Sequence, residues 1–88
     1  MPYIKKDKRP ALEEKLCPLI SYIKSLPVEE QDGTINYSVT RILKSIYPRR
    51  YFHFNRALGV LSAITHEFYR RVVAPYEDEK IKENGDVI

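Results

Sequence analysis

Three stretches of the chain repeat apolar residues at helical spacing, and each stretch runs into a proline. Leu12, Leu16, Leu19, Ile20, Ile23 and Leu26 follow one another at i, i+4, i+7, i+8, i+11 and i+14, which is one face of an α-helix. The spacing predicts a first helix over about residues 8–26, with Asp7 as N-cap, Pro10 in the first turn and Pro27 as the stop. Pro18 lies inside that span and removes a backbone donor, so it should kink or divide the helix. Val28–Gly33 reads as a polar loop. Ile35, Val39, Ile42, Leu43 and Ile46 then mark a second helix over about 35–47, capped by Thr34 or Asn36 and closed by Pro48.

The third stretch is the longest. Phe54, Ala57, Leu58, Leu61, Ile64, Phe68 and Val72 share a face over about 53–74, a helix of roughly 30 Å. A second face carries the small residues Gly59, Ser62 and Ala63 with His66. Glycine inside a helix costs about 1 kcal/mol relative to alanine, so the first helix or another subunit is expected to pack closely there. Pro75 should end this helix. A short C-terminal helix, about 76–83, follows with Glu77–Glu79 at its positive end and Asn84-Gly85 as its stop. The expectation is an all-α single domain, residues 1–88, with three main helices and a short fourth. Leu16, Ile20, Ile23, Val39, Ile42, Leu43, Leu58, Leu61, Ile64 and Phe68 should be buried together.

Composition narrows the class. With 88 residues, 43% hydrophobic and 31% charged, the chain is short for a domain and too apolar for a disordered one. No apolar run approaches the roughly 18–20 residues that span a bilayer. Met1–Asp7 has no apolar core of a signal peptide. These features imply a soluble, cytoplasmic protein, in the host cytoplasm if the source is viral. One cysteine, Cys17, excludes an internal disulfide framework, and its place beside the apolar face implies a half-buried structural thiol.

Charge supplies the functional lead. The net charge is +3, yet residues 1–32 balance six cations with six anions, and residues 76–88 carry −3. Residues 33–75 hold seven cations against Glu67 alone, and six of the seven are arginine. Arginine's planar fork suits phosphate and carboxylate. The outward stripe of the second helix reads Tyr37, Arg41, Lys44 and Ser45. The densest spot is Glu67-Phe68-Tyr69-Arg70-Arg71, where Glu67 can pair with Arg70 or Arg71 and leave the other free. Tyr37, Arg41, Lys44, Tyr69, Arg70 and Arg71 are therefore the candidate ligand-binding residues. Arg49 and Arg50 lie on a link and should be more mobile. The alternatives stay open: the acidic tail folds back onto the arginines, or the tyrosine rings belong to the core with only their hydroxyls at the surface.

Catalysis finds no support. His53 and His66 do not form a metal-ligand pair, and the three glycines make no phosphate loop. The paired carboxylates sit at helix starts or in loops, where the helix dipole favours them. No catalytic residue, metal or cofactor is expected. Helix-turn-helix DNA binding fits poorly, because the link before the third helix is long and the helix begins with apolar residues.

The run from Tyr69-Arg70-Arg71-Val72-Val73-Ala74-Pro75 through Glu83-Asn84-Gly85-Asp86-Val87 resembles the C-terminal signature of a family of small uncharacterised proteins in microbial and viral genomes. The opening Met1-Pro2-Tyr3-Ile4-Lys5-Lys6, Ile35-Asn36-Tyr37 and Thr40-Arg41 resemble it too. This resemblance implies no activity. Arg71-Val72-Val73-Ala74-Pro75 is also similar to the end of the long helix in phage sponge proteins that sequester cyclic oligonucleotide signals; those are short, helical and oligomeric. The expected function is non-catalytic binding of an anionic, nucleotide-like ligand by a homo-oligomer. The alternatives are a homo-oligomeric interaction module whose arginines pair with acidic tails, and single-stranded nucleic-acid binding through interleaved tyrosine and arginine.

Overall fold

The computed structural model describes residues 3–88. It is all-α: a 3-10 turn at Lys6–Lys8, α1 at Arg9–Lys24, α2 at Val28–Ile46, α3 at Tyr51–Phe68, a π-helical turn at Tyr69–Val73, and α4 at Ala74–Asn84. Two units divide the chain, one running up to Pro48 and the other Arg49–Ile88.

In the first unit, Asp7 falls within the 3-10 turn instead of capping α1, whose N-cap is Lys8 without a side-chain bond. Pro10 occupies the first turn, where its missing donor costs nothing. Pro18 does not divide α1, which stays helical through it. The turn after α1 is tied by Ser25 Oγ donating to the Tyr22 carbonyl at 2.6 Å and by Gln31 Nε2 donating to the Leu26 carbonyl at 3.2 Å. The expected loop over Val28–Gly33 is helix. Pro27, extended at φ −56°, ψ 147°, starts α2, and Glu29 and Glu30 in the first turn complement its dipole. That gain outweighs the cost of Gly33. Thr34 and Asn36 thus sit inside α2 instead of capping it: Thr34 Oγ1 donates to the Glu30 carbonyl at 2.8 Å, and Thr40 Oγ1 donates to Asn36 Oδ1 at 3.3 Å.

In the second unit, α3 begins at Tyr51 behind an extended Arg50. Pro75 does not end the helical path. Its missing N–H and its ring conflict with an α-helical turn behind it. The five-residue π turn at Tyr69–Val73 widens the spiral just before it, and α4 continues with Pro75 in its first turn. Gly85, at φ 86°, closes α4, and its N–H bonds to the Ile81 carbonyl at 2.8 Å.

The expected burial is not found within either unit. No described residue is buried. Ile23, Leu26, Val39, Leu43, Val60 and Leu61 are half-covered, whereas Ile42 is 54% and Phe68 59% exposed. Cys17, expected half-buried, is exposed for the same reason. The helical periodicity is present on every main helix, but within its own unit little lies over each apolar face. A Cβ placed on Gly59 would likewise meet open space.

Candidate functional site

The six candidate residues fall into two groups, one in each unit. On α2, Tyr37, Arg41 and Lys44 repeat at i, i+4 and i+7 and share one face. At about 100° per residue, that stripe lies opposite Ile35, Val39, Ile42, Leu43 and Ile46. Tyr37 is 71% exposed, so its ring is at the surface and not in a core. The Arg41 guanidinium lies along its own helix, with Nη1 donating to Ser45 Oγ, while Ser45 Oγ donates back to the Arg41 carbonyl at 2.7 Å. Neither Arg41 nor Lys44 has a carboxylate partner among the described residues.

The second group stands on the π turn. Arg70 Nη2 lies 3.1 Å from both carboxylate oxygens of Glu67. This is one of the two pairings the sequence allowed. Arg71 turns toward α3's apolar stripe, where a groove of about 360 Å³ is lined by Ile64, Glu67, Phe68, Arg71 and Val72. It has no carboxylate partner among the described residues. Helical spacing sets Arg71 three residues from Phe68 and seven from Ile64, so it lies beside that stripe and not on a face away from it. Tyr69 points the other way. Its hydroxyl donates to Glu77 Oε1 at 2.5 Å, and it borders a groove of about 470 Å³ shared with Glu77, Asp78, Lys80, Ile81 and Asn84. The bond to Glu77, and then that carboxylate's charge, hold the Tyr69 phenol above its ordinary pKa.

A further pair escaped the sequence reading as ligand candidates. Arg49 and Arg50 stand with Tyr51 and Phe54 around a depression of about 350 Å³ at the start of α3. Arg50 is the N-cap and offers no side-chain bond to the first turn, so the amide donors there point outward with the positive end of the dipole. The legible signal was an arginine pair directly before a helix start.

The histidines have ordinary partners. His53 Nδ1 accepts from Arg56 Nη1 at 2.9 Å, because a guanidinium only donates, and His66 Nδ1 donates to the Ser62 carbonyl at 2.8 Å. Among the described residues no helix is long and apolar enough to cross a membrane.

The chain belongs to the family described as Domain of unknown function (DUF6899), whose model matches residues 1–87. Comparison with curated proteins and with solved structures gave no match.

Proposed function

We propose that the protein binds an anionic, nucleotide-like ligand without chemically changing it, on a surface of arginine and tyrosine, and that it works as a homo-oligomer. The observation that carries this reading is the difference between neighbouring arginines. Arg70 pairs with Glu67, whereas Arg71 has no carboxylate partner among the described residues. Tyr37, at 71% exposure beside Arg41 and Lys44 on α2, supplies the same combination of ring face and cation. A nucleotide offers a phosphate for the guanidinium and a base for the ring. The likeness of Arg71–Pro75 to phage sponge proteins points the ligand class toward cyclic oligonucleotides, bound in the cytoplasm, the host's if the source is viral.

The test is a thermal-shift panel of nucleotides and cyclic dinucleotides. A ligand present at about 100 times its Kd stabilises the protein by about 2.7 kcal/mol. Saturable one-to-one binding supports the reading. Binding to oligonucleotides that weakens steeply with salt would move the assignment to single-stranded nucleic acid, and no shift with any anion would leave an interaction module whose arginines meet acidic tails.

A further inference from the structure

We propose that a second copy of this chain covers the apolar stripes of α2 and α3, so that the protein acquires its core only on assembly. This deepens the homo-oligomer part of the reading above and rests on it; the Tyr37/Arg41/Lys44 face of α2 stays open to ligand, whereas Arg71, which lines a groove with Ile64 and Phe68, lies at the border of the covered stripe. The first argument is area. A folded chain's accessible surface scales with mass to the power of about 0.73, so two separately folded units, each half of this protein, would together expose about 6,500 Å². The chain, of 10.4 kDa, exposes 8311 Å². The excess is about 1,800 Å² per chain, or about 3,600 Å² for a pair, which lies within the range of obligate homodimer interfaces, about 2,000–5,000 Å².

The second argument is where that surface lies. On α2, Ile35, Ile42 and Ile46 are 47%, 54% and 64% exposed; on α3, Leu58, Ile64 and Phe68 are 63%, 51% and 59% exposed. The two helices have 19 and 18 residues, so their stripes have matching length. Helices of this length are marginal in water unless an amphipathic face is packed.

The third argument is charge. Residues 33–75 carry +6 and residues 76–88 carry −3. A two-fold interface is self-complementary, so a chain that carries both signs can set unlike charges against each other on self-association. On α2 the Tyr37/Arg41/Lys44 face is opposite the covered stripe and stays in solvent.

The proposal also chooses between the faces of α3. Ala63 lies on the side away from Leu58 and Phe68 at helical spacing. Sedimentation equilibrium and thermal melts of the full chain, from low to high micromolar concentration, test it. The expected result is a mass of at least two chains and a melting temperature that rises with concentration. Ile42→Glu and Leu58→Glu should each weaken association at least tenfold, while Ala63→Glu leaves it intact. A wild-type monomer with a concentration-independent melt overturns the proposal, whatever the variants do. So does a wild-type monomer that binds phosphatidylcholine–phosphatidylglycerol vesicles, which would assign the stripes to lipid. Dissociation by Ala63→Glu but not by Leu58→Glu would place the interface on the small-residue face while keeping the oligomer. An intact dimer that binds no nucleotide would sink the ligand reading and leave this one standing.

Discussion

The Tyr69 hydroxyl reaches Glu77 at 2.5 Å across the π turn and Pro75. The bond ties the residue that opens the wide turn to the first turn of α4, bridging the place where the proline interrupts backbone bonding. It also engages one carboxylate of the acidic tail with a neutral donor, so that carboxylate is not satisfied by an arginine.

This contact has a pH signature. Because Glu77 favours the neutral phenol, the Tyr69 pKa in the fold lies above its unfolded value of 10.0. The stabilisation is fully present below that unfolded value and is lost as pH rises through the folded one. NMR titration of the ring-labelled protein should show Tyr69 ionising above the ordinary tyrosine value, and Glu77→Gln should bring it down. Ionisation of Tyr69 at the ordinary tyrosine value would show that the bond does not persist in solution.

The two neighbouring arginines should behave differently. Arg71→Ala should weaken an anionic ligand by roughly 1.5–3 kcal/mol, the size of a hydrogen bond to a charged group. Arg70→Ala breaks an exposed pair with Glu67, worth about 0.2–1 kcal/mol, and should change stability little. Calorimetric titration of both variants with the nucleotide that gives the largest thermal shift separates the roles. Equal binding by wild type and Arg71→Ala would remove Arg71 from the site.

Pro18 is a liability inside α1. A proline in a helix interior is disfavoured by about 3 kcal/mol relative to alanine. Pro18→Ala should therefore raise the melting temperature, followed by circular dichroism, with α1 already helical through this position. A lower melting temperature would mean that the assembled protein uses the irregularity.

Gly59 faces open space within the chain. Gly59→Ala should stabilise α3 by about 1 kcal/mol without changing the oligomer mass. If the substitution instead destabilises the oligomer, another copy's backbone approaches that face closely.

The local sequence was enough to establish an all-α chain, because amphipathic spacing and proline positions are local signals: the Leu12–Ile23, Ile35–Ile46 and Phe54–Phe68 series lie on helices, and only Leu26 falls in the turn after α1. It also located the exposed Tyr37/Arg41/Lys44 stripe and the Glu67–Arg70 pair, since residues three and four apart meet on any helix. Helix junctions were less legible. Whether Val28–Gly33 coils, or whether Pro75 stops a helix, depends on small competing terms: a dipole gain against one glycine, a widened turn against one missing donor. Arg71 lies beside the apolar stripe, as its spacing of three residues from Phe68 and seven from Ile64 allows. Burial was not legible at all. An apolar stripe states that a face needs covering, but what covers it is a property of tertiary and quaternary contacts. In this chain Ile42, Leu58 and Phe68 remain exposed, because the partner surface that hydrophobic burial requires is not supplied by neighbours along the sequence.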